Sequence, residues 1–186
     1  METAKVINEV NGVDLDVLFA TVQAIAEDPA LGKSRFRARN QWVGGSRNTT
    51  RVEGFYAGGE ERRHQQTFAM EADEPPLLAG ADRAPNPVEH LLHALASCVT
   101  TSIVAHAAVK GIEIDALEAE LEGDIDLNGF LGLDAEAPKG YTDIRVNYRV
   151  KTSEENLRRL QQLVQFSPVY NTLVNGVNVD VGLVRA

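Results

Sequence analysis

The chain has 186 residues, one cysteine and a net charge of −9. That length fits one domain, or one compact unit of two lobes, and an apolar content of 44% can form a core without disulfides. The single thiol excludes an internal disulfide and a cysteine-only metal site, and the acidic balance argues against a broad nucleic-acid-binding face. No uninterrupted apolar run approaches the ~18 residues of a membrane span, and residues 1–12 lack the basic start and apolar run of a secretory signal. A cytoplasmic protein with no nucleic-acid and no membrane partner is expected.

In chain order, the apolar-rich residues 6–10 lead into Asn11-Gly12, a turn signal. Val13, Val17, Leu18, Thr21 and Ile25 then recur at helical spacing. Asp14 and Asp16 suit the first turn of that helix, and Asp28-Pro29 closes it. Residues 1–33 are expected to form a helical extension, packed on the main body or on a partner subunit. Residues 34–186 are expected to form the main domain. Within it, residues 35–43, 49–56 and 64–70 read as a three-strand meander joined by Gly44-Gly45 and Gly58-Gly59. Glu74-Pro75-Pro76 stops the sheet.

Residues 87–110 have a different texture, mostly apolar or small with no internal glycine or proline. Such a helix belongs in a core. Asn86 can cap it, Pro87 suits its first turn, and Gly111 stands where helices favour glycine at their end. At ~1.5 Å per residue it runs over roughly 30 Å. Beyond it, Leu117, Ala119, Leu121, Ile125 and Leu127 share one parity, the mark of a long or bent strand with one apolar face. Residues 128–140 form a loop, and Ile144, Val146, Tyr148 and Val150 make the next strand. Ser153 opens a helix through Leu157, Leu160, Leu163 and Val164. Ser167-Pro168 restarts a short helix to Val174. Asn175-Gly176 then turns into a last alternating strand carrying Val177, Val179, Val181 and Leu183. The order βββ-α-ββ-α-α-β is an α+β arrangement, with a β-meander, a long central buried helix and a second β/α half.

Cys98 is the first candidate for chemistry. In mid-helix a free cysteine can be plain packing, because reactivity needs an electropositive, partly exposed setting. Its helical neighbours Ala94, Leu95, Thr101 and Ser102 carry no positive charge. His90 and His106 lie eight residues to either side, ~12 Å away along a straight helix, so neither forms a dyad with it. His64 lies on a strand. Glu89-His90-Leu91-Leu92-His93 lacks the spacing of a zinc-binding helix and is read as solvent- or subunit-facing. Asp124, Asp126 and Asn128 open like a calcium loop, but the closing glutamate is one position late, and a strand entering an Asn-Gly turn explains them equally. Ser167-Pro168 is read as a helix cap followed by a first-turn proline. No cofactor and no metal is implied.

Asn86-Pro87-Val88-Glu89-His90-Leu91-Leu92-His93-Ala94-Leu95-Ala96-Ser97-Cys98 resembles the signature of the OsmC/organic hydroperoxide resistance family, in which a peroxidatic cysteine follows the helix-opening proline by eleven residues. The three preceding strands, Lys110-Gly111-Ile112 and Phe166-Ser167-Pro168-Val169 fit the same pattern. The resemblance covers residues 34–186 and implies an intertwined homodimer. It also implies a peroxiredoxin-like reaction, in which the Cys98 thiolate attacks a hydroperoxide and becomes a sulfenic acid. An arginine from the first hairpin would activate the thiol; Arg47 matches best and Arg51 is the fallback. Two supporting positions depart from the family. Val88 stands where a carboxylate holds that arginine, and a slip of one residue turns Glu89 ~100° away from that direction. Ser167 stands where the resolving cysteine belongs, so a Cys98 sulfenate would need an external thiol reductant, a partner protein or Cys98 of another subunit.

Two readings follow. One is a hydroperoxide reductase acting on an organic hydroperoxide through Cys98. The alternative is a non-catalytic OsmC-like dimer binding a small apolar ligand or a protein partner, with Cys98 as packing. A calcium-stabilised structural protein is a third.

Overall fold

The computed structural model describes residues 8–185. Asn11 and Gly12 both take positive φ, 54° and 78°, and turn the chain between two short strands, β1 (Glu9–Val10) and β2 (Val13–Asp14). Val6 and Ile7, read as part of the first apolar run, lie outside the described residues. Helix α1 (Leu15–Glu27) follows, capped by the Asp14 carboxylate, which accepts from the Val17 N–H at 3.1 Å. Only Leu15 of this helix is buried; Val17, Phe19 and Val22 stay exposed. Asp28 then caps a 3-10 turn, Pro29–Gly32.

The expected meander forms, with its first strand broken at Arg37-Ala38. Strands β3 (Arg35–Phe36) and β4 (Arg39–Gly44) both pair antiparallel with β5 (Arg47–Ala57), which also pairs with β6 (Glu60–Ala72). The β5–β6 register breaks between Val52 and Gly54. There Gly54 lets the strands close in, since a Cβ would stand 3.0 Å from the Arg62 carbonyl oxygen.

Helix α2 (Pro87–Val109) carries signals at both ends. Asn86 Oδ1 accepts from the Glu89 N–H, and Glu89 Oε2 accepts from the Asn86 N–H, each at 2.8 Å: a reciprocal capping box. At the far end Gly111 has φ 63°, Ile112 N–H donates to the Ala107 carbonyl at 2.9 Å and Gly111 N–H to that of Ala108 at 3.0 Å. This is a Schellman ending. The chain continues through β7 (Ala116–Ile125), the helical turn α3 (Leu127–Phe130), β8 (Tyr141–Lys151), α4 (Glu154–Gln161) and α5 (Pro168–Asn175). Leu127, read as the last residue of the strand, starts α3 instead, because Asp126 caps that turn.

The fold divides into two units, one with Asn8 and Asp14–Leu91, the other with Glu9–Val13 and the chain from Leu92 onward. The second unit holds the main core. Leu95, Val99, Ile103 and Ala107 recur every four residues on α2 and pack with Ile112, Leu160 and Leu163. Leu117, Leu121, Ile144, Val146 and Val150, the alternate residues of β7 and β8, lie against that cluster. Within this unit Asn11 ties the first turn to the chain after α2, donating to the Ile112 carbonyl at 2.8 Å and accepting from the Ile114 N–H at 2.9 Å. By length and composition α2 could cross a bilayer, with a mean hydropathy of 1.5, yet its stripe is the centre of this core.

One expected element is absent. Residues 176–185 form no strand, and Val181 and Leu183 are 79% and 96% exposed. Alternation provides a face, but a strand also needs a neighbour to complete its backbone hydrogen bonds, and none pairs with this segment among the described residues.

Asn86→Ala removes one half of the capping box and should lower unfolding stability by about 1 kcal/mol. Glu89→Gln, which keeps an acceptor in place, should cost clearly less. Urea denaturation of the two variants measures the difference.

Candidate active site

Cys98 lies in the second unit, three residues after Leu95 and one before Val99 on α2. It is half-buried, on the flank of the packed stripe, and it is not a member of the core cluster. Within its unit, among the described residues, the thiol has no disulfide partner and makes no hydrogen bond. The neighbouring hydroxyls are turned onto the helix itself: Ser97 Oγ donates to the His93 carbonyl and Thr101 Oγ1 to that of Ser97, both at 2.8 Å.

Tyr148 on β8 completes this side of the helix. Its hydroxyl donates to the Ala96 carbonyl at 3.1 Å and lies 3.2 Å from Thr100 Oγ1. Burial raises the Tyr148 pKa, the Thr100 hydrogen bond opposes the rise, and negative charge at Cys98 adds to it. In sequence Tyr148 is only one of the alternate residues, with Ile144, Val146 and Val150, that mark the strand. The available signal was a tyrosine among inward-facing aliphatics, whose hydroxyl needs a partner when buried.

Arg47, half-buried, is the first residue of β5 in the first unit. Gly44 and Gly45, with φ 147° and 60°, bring the chain around to it. Asp73, only 1% exposed, anchors this turn. Its carboxylate accepts from Ser46 Oγ at 2.6 Å and from the N–H groups of Glu74, Ala81 and Arg83 at 2.9, 3.3 and 3.2 Å. The Ser46 hydrogen bond, and then those from the backbone, outweigh desolvation and hold the Asp73 pKa down at about 2. In sequence Asp73 only precedes Glu74-Pro75-Pro76, which stops the sheet, and nothing there announces four donors. Arg51, the fallback, is exposed and faces a groove with Arg37 and Arg39.

The remaining candidates have structural partners. Glu89 is held in the capping box. His90 Nε2 lies 2.9 Å from the Glu71 carbonyl oxygen, His106 stacks on Phe166 at 4.1 Å, and His64 sits between Phe55 and Phe68. Asp124 pairs with Arg145 at 2.6 Å, and Asp126 caps α3, accepting from the N–H and the side-chain amide of Asn128, both at 2.9 Å. Ser167 is fully buried and caps α5, accepting from the Tyr170 N–H at 3.2 Å.

The OsmC-like protein family matches residues 80–182, more than half of the chain, and the protein belongs to that family. Cys98 and Ser167 fall inside the match, and Arg47 and Asp73 precede it. The fold is similar to an OsmC-like protein from Mycoplasma pneumoniae at 21% identity, TM-score 0.56, covering 81% of this chain and 98% of that one. It is also similar to an organic hydroperoxide resistance protein OsmC from Legionella pneumophila at 16% identity, TM-score 0.51, covering 74% and 89%. No sequence among curated proteins matches significantly.

The pH dependence of stability follows from Asp73. Its folded pKa lies below the ordinary 3.8, so its contribution is whole above that value and is lost as the pH falls towards about 2. Asp73→Asn places an N–H₂ group against backbone donors. The variant should melt at a lower temperature at pH 7, and the gap from the wild type should shrink between pH 4 and pH 2. Calorimetric melts across that range test this.

Proposed function

We propose that the protein is a thiol-dependent reductase of organic hydroperoxides, with Cys98 as the peroxidatic cysteine and Arg47 as the residue that orients the peroxide. The observation that carries this reading is the placement of Cys98. The only thiol of the chain stands on the flank of α2, half-buried and outside the core cluster, which gives it the partial exposure that a reactive thiol needs. Family membership and the Legionella pneumophila neighbour supply the chemical theme.

In the proposed reaction the Cys98 thiolate attacks one peroxide oxygen. An S–O bond forms, the O–O bond breaks, and the departing alkoxide takes a proton to leave as an alcohol. Cys98 is then a sulfenic acid. With Ser167 at the helix cap, the chain offers no second thiol, so an external thiol condenses with the sulfenic acid and releases water. A second thiol reduces that mixed disulfide and frees Cys98. Because Glu89 is engaged in the capping box, Arg47 takes its position from the turn anchored by Ser46 and Asp73. A chain with a single unpaired thiol suits a reducing, cytoplasmic compartment.

The working unit we propose is a homodimer. Phe36 and Trp42 in the first unit and the alternating Val177, Val179, Val181 and Leu183 are all exposed in the single chain. A second copy would cover such surfaces and give the C-terminal segment a ladder partner.

The purified protein should consume cumene hydroperoxide with dithiothreitol as reductant. Cys98→Ser should abolish turnover, and Arg47→Gln should lower kcat/KM at least tenfold with an unchanged melting temperature. Absence of turnover in the wild type, or equal rates in the Cys98 variant, would overturn the reading.

A further inference from the structure

The first unit contains a cavity of about 530 Å³ lined by five arginines, Arg37, Arg39, Arg51, Arg62 and Arg63. Glu53 and Glu61 are its acidic residues, so the lining carries an excess of three positive charges in a chain of net charge −9. Two of the arginines are matched. Arg37 forms a two-pronged pair with Glu61, both contacts at 2.7 Å. Arg62 meets Glu60 at 2.9 Å and donates to the Ala57 carbonyl at 3.1 Å. The side chains of Arg39, Arg51 and Arg63 make no ion pair or hydrogen bond among the described residues. They belong to three different strands, β4, β5 and β6.

This arrangement is unfavourable for the sheet alone. Arg39 and Arg51 stand directly opposite each other in the β4–β5 register, and like charges so placed repel. The other large sheet of the protein shows the arrangement that stability favours. There Glu118 faces Arg149, Glu122 faces Arg145, and Arg145 bonds Glu122 at 2.6 Å. The break in the β5–β6 register falls at the same cavity, beside Gly54, and a bulge of this kind re-aims the flanking side chains.

We propose that this groove is a binding site for a small polyphosphate, with Arg39, Arg51 and Arg63 as the contacts that hold it. Three unmatched guanidinium groups against one unmatched carboxylate call for more than one negative charge. The planar fork of arginine fits phosphate oxygens in pairs. The volume lies in the range of small-molecule sites, about 300–1,000 Å³. Binding at this site can be measured without a readout of peroxide turnover.

The probe is inorganic tripolyphosphate, titrated calorimetrically into the full chain at low salt, with ATP in a parallel arm to distinguish a phosphate chain from a nucleotide. One site per chain is expected, with affinity falling as salt rises. The Arg39→Gln/Arg51→Gln double variant should bind at least tenfold more weakly. Arg158→Gln/Arg159→Gln on α4, which removes the same charge elsewhere, should bind as the wild type does. The groove variant should also melt no lower than the wild type without ligand, because it relieves repulsion, and it should lose the rise in melting temperature that tripolyphosphate gives. Failure of both probes to bind at millimolar concentration would overturn the proposal. So would equal weakening in both double variants.

Discussion

The packed stripe of α2 is the constraint on which the second unit depends. Leu95, Val99, Ile103 and Ala107 meet the inward residues of β7 and β8 and the buried Leu160 and Leu163. Each large side chain buried there contributes about 2 kcal/mol. Together they fix the rotation of the helix about its own axis. Cys98 is one residue from Val99, which turns it about 100° from that residue's direction. The stripe that stabilises the unit therefore also places the thiol on its flank. The Tyr148 hydroxyl on the Ala96 carbonyl, two residues before the thiol, pins helix to sheet close to that level.

Charge is distributed differently in the two units. On β7 and β8 acids and arginines interleave, and Arg145 bridges Glu122 and Asp124 so firmly that its own pKa is raised. Exposed pairs of this kind add little stability singly, but they leave no charge of one sign concentrated. In the first unit the arginines gather on one groove, while the buried carboxylate of Asp73 is spent on a turn. Each departure also places side chains. Asp73 fixes where Arg47 begins its strand, and the groove keeps three arginines free of acidic partners.

Much of this was legible in the residues. Asn86, Glu89 and Gly111 mark both ends of α2 because caps are local chemistry read from a few positions. The meander followed from glycine pairs, and the helix at Ser167 from a serine before a proline. The misses share a cause, which is dependence on distant residues. The alternation of residues 177–183 describes one face of a strand but cannot supply its neighbour. Tyr148 and Asp73 acquire their roles from helix α2 and from the loop that follows β6, and neither is apparent in the residues beside them. The break at Arg37-Ala38 and the bulge near Gly54 depend on register, which alternation alone does not set. The OsmC-like motif placed Cys98 on the correct helix, while its half-burial beside the stripe came only with the packing.

The central claim is that Cys98 is a peroxidatic thiol, and the most direct measurement is to trap its first oxidation product. The reduced protein would receive one equivalent of cumene hydroperoxide in the presence of dimedone and then be analysed by peptide mass spectrometry. A dimedone adduct on Cys98, formed within seconds and absent without peroxide, is the expected result. A thiol that stays unmodified and fully alkylatable after the same exposure would contradict it.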